Sequence, residues 1–210
     1  MKVLHIDSSV RGDWSVSKDL TKHFVQQLLG KFPQAWIDYL DLAAEVPPHP
    51  SPIFIRANYT PAEDRTREME EALMISNSLV NRMRSAEIIV IGIPMHNFSI
   101  PSILKAYIDN IVRINETFAM TENGSQGLLT GKKVFIISTR GADFNNEQMQ
   151  PMDQIKPYIK VVFGFMGMED ITYIDASPVQ FADLQARAAA IQNAKEKITA
   201  TIGSLTSIKR

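Results

Sequence analysis

The chain has 210 residues, with 22 Lys plus Arg against 23 Asp plus Glu, a formal net charge of -1, and no cysteine. That balance excludes the basic field that draws nucleic acid, and the missing thiols exclude disulfides, thiolate metal sites and cysteine nucleophiles. The length suits one hydrophobic core, so residues 1-210 read as a single domain; no apolar run approaches the roughly 20 residues of a membrane span and no signal peptide is visible, so the expected location is cytoplasmic.

Residues 3–7 form a short apolar run, read as a first strand. Residues 15–30 set Leu20, Phe24, Val25, Leu28 and Leu29 at helical spacing, with Gly30 as a stop. Residues 35–42 (AWIDYLDL) alternate as a second strand. The stretch that follows carries Pro47, Pro48, Pro50, Pro52 and Pro61, which argues against a helix or central strand and for a surface excursion. A second helix is expected over residues 60–84, with Met69, Leu73, Leu79, Val80 and Met83 along it. Residues 87–93 (EIIVIGI) are apolar on both faces and β-branched, the pattern of a strand in the middle of a parallel sheet. Residues 101–113 read as a third helix with Ser99 as N-cap. Residues 117–132 (TFAMTENGSQGLLTGK), with an Asn-Gly pair, read as a hairpin-like excursion. A buried strand over 133–139, a fourth helix over 151–166, a last strand over 170–175 and a closing helix over 180–205 complete the chain.

Strand and helix thus alternate. Parallel strands need right-handed crossovers, so the expected fold is α/β: a three-layer doubly wound sheet of five parallel strands in the flavodoxin-like order 2-1-3-4-5. Such an order opens a ligand crevice beyond the carboxyl ends of the first and third strands. Loops 8–17 and 94–99 lie there, and the turn at 139–142 leaves the next strand at the same end.

The first loop, SSVRGDWSVS, lacks both G-x-G-x-x-G and G-x-x-x-x-G-K-[ST], which argues against a dinucleotide pyrophosphate and a nucleoside triphosphate. Its hydroxyls (Ser8, Ser9, Ser15, Ser17) and the N–H groups of a helix N-terminus suit a single terminal monophosphate. The same serines also serve as turn and cap residues in proteins that bind nothing there, and Arg11 reads equally as a cationic contact or a solvated charge. In the second loop Asn97 offers an amide while Met95 and Phe98 offer apolar surface, the lining of a pocket for a flat heteroaromatic ring. In the third, Gly141 lets backbone approach a ligand closely. No spacing of histidine and carboxylate argues for metal.

Three runs, PMHNFSIPSILKAYID, TFAMTENGSQGLLTGKK and STRGA, resemble the FMN-dependent NADH-azoreductases and the related NAD(P)H:quinone reductases, whose runs read PMYNF, TENGPEGL.TGKK and SRGG. The resemblance implies one FMN per subunit, its phosphate held by Ser9, Ser15, Val16 and Ser17. It places Met95, His96, Asn97 and Phe98 against the isoalloxazine and ribityl, and Thr139, Arg140, Gly141 and Ala142 at the ring's other edge. It implies hydride transfer from NADH or NADPH to flavin N5, ping-pong reduction of quinones to hydroquinones, cleavage of aromatic azo compounds to amines, and a homodimer whose partner chain completes the substrate pocket.

No catalytic side chain is required by that chemistry. His96 replaces the family's tyrosine and is a candidate proton donor. Ala142 replaces the second glycine of SRGG, and Met120 stands where an aromatic often precedes TENG. The alternative is a flavodoxin-like FMN electron carrier that docks to a protein partner, which the near-neutral charge does not favour.

Overall fold

The computed structural model describes residues 1–144 and 146–206. Its strands are β1 (Lys2–Asp7), β2 (Trp36–Asp41), β3 (Ile88–Pro94), β4 (Phe118–Thr121), β5 (Gly124–Gly127), β6 (Lys133–Thr139) and β7 (Asp170–Ala176). Its helices are α1 (Val16–Lys31), α2 (Pro52–Tyr59), α3 (Arg67–Ser85), α4 (Ser102–Ile111), α5 (Ile155–Phe165) and α6 (Leu184–Ser204).

The two most apolar runs, β3 and β6, lie side by side in the centre of the sheet, because only there are both faces of a strand covered. All pairings in this five-stranded sheet are parallel, in the order β2-β1-β3-β6-β7. That is the expected 2-1-3-4-5 order once the two hairpin strands are set aside. Alternation along each strand divides the core. Leu4, Ile6, Ile89 and Ile91 pack with Met83, Leu104, Tyr107 and Phe163 on one face. Val3, Ile88, Val90, Phe135 and Ile137 pack with Leu20, Phe24, Ile198 and Ile202 on the other. Each fully buried side chain of this size contributes about 1.5–3 kcal/mol, so the two clusters fix a three-layer molecule. Among the described residues no helix is long and apolar enough to cross a membrane.

Several boundaries differ from the sequence reading. The proline-rich stretch contains α2: Ser51 accepts a hydrogen bond from the Phe54 N–H, Pro52 occupies the first helical position, and Phe54 and Ala57 pack on Met69 and Leu73 of α3. Proline is tolerated in a first turn, where its missing N–H has no partner to lose. α3 begins at Arg67 rather than near residue 60, because Thr66 caps it by accepting from Met69 N–H. The cap position of α4 is held by Pro101, which has no capping side chain, while Ser99 is engaged elsewhere. α5 begins at Ile155, where Asp153 Oδ1 accepts the Ile155 N–H at 3.0 Å. Asp183 caps α6, so residues 180–183 belong to a loop instead of the helix's start.

The hairpin expected over 117–132 is present as β4 and β5, paired antiparallel and turned between Thr121 and Gly124. It is docked on the α5–β7 turn, where Leu129 N–H donates to Met166 O at 2.8 Å and the Phe118 and Phe165 rings lie 4.5 Å apart.

Candidate functional site

The three loops converge at the carboxyl edge of the sheet. In the first, Gly12 takes φ +55° and opens a short 3-10 turn that delivers the chain into α1. Ser8, Ser9, Ser15 and Ser17 are all buried, but their roles divide. Ser8 Oγ donates to Gly92 O at 2.7 Å and so belongs to the sheet. Ser15 is the N-cap of α1, accepting from Lys18 N–H, and shares a 3.1 Å hydroxyl contact with Ser17. Ser9 Oγ accepts from Arg11 N–H at 3.3 Å, which leaves its own proton free to donate. The N–H groups of Val16 and Ser17, in the first turn, form no hydrogen bond among the described residues. Buried hydroxyls and unsatisfied helix donors side by side describe an anion cradle.

A buried carboxylate holds that cradle from below. Asp7 accepts from Thr21 Oγ1 of α1 at 2.8 Å and from Tyr39 Oη of β2 at 3.0 Å, and lies 3.4 Å from His5 Nε2. Burial, then the Asp7 charge, pushes the Tyr39 hydroxyl above its ordinary pKa, so it stays a donor. Gly92 lets α1 sit this low, because a Cβ there would lie 2.8 Å from Asp7 Oδ1 and 3.4 Å from Ser17 O.

In the second loop Asn97 and Phe98 both take positive φ, 46° and 69°. His96 N–H donates to Ser99 O at 2.9 Å and Ser99 N–H to His96 O at 3.0 Å, closing a two-residue turn of the primed type. Each left-handed non-glycine residue costs about 1–2 kcal/mol, and such strain persists only where its surroundings impose it. The turn leaves the N–H groups of Asn97 and Phe98 unpaired among the described residues, and both side chains are exposed. The backbone of His96, by contrast, is committed to the turn. Met95 N–H donates to Thr139 O at 2.8 Å, joining the second loop to the third.

In the third loop the Arg140 side chain is turned into the protein. It is 2 % exposed, and its guanidinium meets Asp153 Oδ2 and Asp175 Oδ1, the latter at 2.8 Å. Its main chain is engaged as well, Arg140 N–H donating to Ala176 O at 3.0 Å and Arg140 O accepting from Val179 N–H at 2.9 Å, so Arg140 acts by holding its neighbours in place. Asp153 also precedes Gln154, whose N–H donates to Phe98 O at 2.9 Å, so the ion pair ties the second and third loops together.

Burial raises the Asp175 carboxyl, but the Arg140 charge and hydrogen bonds from Lys156 and Ser138 outweigh it and hold its pKa below the ordinary value. A depressed folded-state pKa adds stability that is present above the unfolded value and lost as pH falls through the folded one. Asp175→Asn is therefore expected to lower the thermal midpoint at pH 7 and to flatten the loss of stability below about pH 4. Acid-unfolding curves of identical shape for the two proteins would remove this role.

One cavity of about 180 Å³ collects Ser9, Ser15, Val16, Pro94 and Thr139 from three of these strand ends. Ser17 is buried with its hydroxyl 3.1 Å from that of Ser15 but is not among the cavity's lining residues, and neither are Met95, His96, Asn97, Phe98, Arg140, Gly141 and Ala142, which follow Pro94 and Thr139 in the chain. The sequence reading missed its remaining wall, formed by Val179, Gln180, Ala182, Leu184 and Arg187. That segment carries no motif. It is placed by Val179 N–H on Arg140 O and by Phe181 N–H on Gly141 O, while Gly141 is small because a Cβ would meet the Phe181 ring at 3.0 Å.

A family profile described as Flavodoxin-like fold matches residues 1–202. A protein of Hydrogenovibrio crunogenus, named FMN-dependent NADH:quinone oxidoreductase, is 41% identical over 174 residues, covering 83% of this chain and 86% of its own length. One of the same name from Nostoc punctiforme is 40% identical over 200 residues, covering 92% and 98%. The chain belongs to this flavodoxin-like family. A solved FMN-dependent NADH-azoreductase from Bacillus anthracis, in complex with FMN, superposes with a TM-score of 0.85 at 29% identity, covering 96% of this chain and 97% of that one. Within the family pattern, the histidine at 96 leaves the closed 96–99 turn intact because the turn is made by main chain.

Proposed function

We propose that this chain is a single-domain FMN-dependent NAD(P)H oxidoreductase that reduces quinones and cleaves aromatic azo compounds. The observation that carries the reading is the cavity at the α1 N-terminus, where buried hydroxyls and unpaired N–H groups face a space lined also by the ends of β3 and β6. These residues fit a flavin mononucleotide. Ser9, Ser15, Val16 and Ser17 would hold its terminal phosphate, with Met95, His96, Asn97, Phe98, Thr139, Arg140, Gly141 and Ala142 around the remainder. FMN would supply two-electron hydride transfer at N5, in ping-pong order, from NADH or NADPH to the acceptor.

The protein's part is orientation and electrostatics. With FMN bound, the N–H groups of Asn97 and Phe98, held in place by the closed turn, would donate to it and stabilise negative charge developing on the reduced ring. Asp153 and Arg140 keep that turn registered against the third loop. The imidazole of His96 is the protonatable side chain on the second loop and is proposed as a proton donor to a reduced acceptor. No side chain has to act as a nucleophile. The resemblance further supports a homodimer with a shared substrate pocket, in a cytoplasmic setting.

The test is direct. FMN-loaded protein is expected to oxidise NADH when menadione or methyl red is added, with no second protein present. Failure with both acceptors would refute the reductase reading and leave the electron-carrier alternative.

A further inference from the structure

We infer that Arg11 and Arg187 form a cationic mouth to the serine cavity and make it selective for a phosphate monoester over the corresponding alcohol. The inference rests on the FMN reading above and adds two residues to it. Both arginines line the cavity, Arg11 from the first loop and Arg187 from the first turns of α6, and no carboxylate is among the lining residues. Both are exposed, and neither forms an ion pair among the described residues, unlike Arg82, Arg84 and Arg140.

Arg11 is not left to wander. Its Nη1 donates to Gln180 Oε1 at 3.2 Å, bridging the first loop to the 177–183 segment across the cavity.

Charge balance favours such a mouth. The lining offers neutral donors only at this end, the Ser9 and Ser15 hydroxyls and the Val16 N–H, with the Ser17 hydroxyl 3.1 Å from that of Ser15. A helix N-terminus adds roughly half an elementary positive charge, whereas a phosphate monoester carries about -1.5 to -2 at pH 7. Neutral donors satisfy the oxygens without matching that charge. Two guanidinium groups do match it, and their planar forks suit phosphate oxygens. The predicted selectivity therefore lies in charge at the rim, added to hydrogen bonding at the floor.

Equilibrium dialysis of the full chain against FMN and against riboflavin tests this. Arg11→Gln and Arg187→Gln are each expected to weaken FMN binding about fivefold, and together about twenty-fivefold, with riboflavin binding unchanged. The double variant is also expected to lose most of the salt dependence of FMN binding. A parallel shift for both ligands, or no shift for either, would overturn the inference in favour of a structural or solvated role. The 2′-phosphate of NADPH is the other monoester within the proposed chemistry. If the variants changed the KM ratio of NADPH to NADH while leaving the FMN to riboflavin ratio intact, the assignment to the flavin phosphate would fall. Absence of FMN binding by the unaltered protein would sink the functional reading together with this one.

Discussion

Gly127→Ala is expected to cost about 3 kcal/mol, although it adds a single methyl group at the base of a hairpin. A Cβ at Gly127 would lie 2.1 Å from Gly167 N and 2.3 Å from the Met166 carbonyl carbon. Both are backbone atoms, and Gly167 is itself held at φ +91°, so neither yields by a rotamer change. The methyl group must push the β4–β5 hairpin off the α5–β7 turn. A loss of that size lowers the thermal midpoint of a domain of this length by roughly 6–12 °C. A shift of less than 2 °C would show that the close approach of the two glycines is not kept in solution.

Arg113→Ala is the second large effect, again about 3 kcal/mol or more. Arg113 is fully buried at the end of α4, and its guanidinium reaches Asn58 Oδ1 of α2 at 2.6 Å and Ser76 and Asn77 of α3, over the ring of Phe54. Burial lowers its pKa from the usual guanidinium value, the nearby Arg65 adding to this and Glu116 opposing it. Truncation leaves a cavity and a buried Asn58 with its acceptor unpaired. Urea unfolding should show a lower midpoint, and limited proteolysis should cut within residues 52–59, because α2 has lost its anchor. An unchanged midpoint would mean that the apolar contacts of Phe54 and Ala57 suffice.

The fold was legible where the physics is local and repeated. β3 and β6 declare themselves by being apolar on both faces, and once two such strands sit in the centre, crossover handedness leaves few orders for the others. α2 is hidden in the sequence because five prolines crowd the stretch, although Ser51 followed by Pro52 is the start signal of a short helix. Ser99 pairs with His96 instead of capping because Asn97 and Phe98 are both left-handed; asparagine is a type that enters that region, but phenylalanine is not, so the pair does not announce the turn. The candidate site followed the same division. Ser9, Ser15 and Val16 were legible as a turn into a helix, whereas the wall from Val179 to Arg187 comes from a remote segment brought over by main-chain bonds to the third loop. The inward turn of the Arg140 side chain depends on Asp153 and Asp175, which are adjacent only after folding.

The sheet order carries a kinetic consequence. β1 is made first, yet it lies inside the sheet, where Val3 pairs with Ile37 on one side and with Ile88 on the other. Among the described residues, apart from β4 and β5, no two successive strands form a hairpin, so every other pairing closes a long loop before it is rewarded. As the chain leaves the ribosome, β1 and β2 present an unsatisfied apolar edge until β3 arrives, and β3 in turn waits for β6. Folding is expected to be slow, ordered from the amino terminus and dependent on chaperone protection. Stop codons placed before residue 88 should therefore yield aggregates.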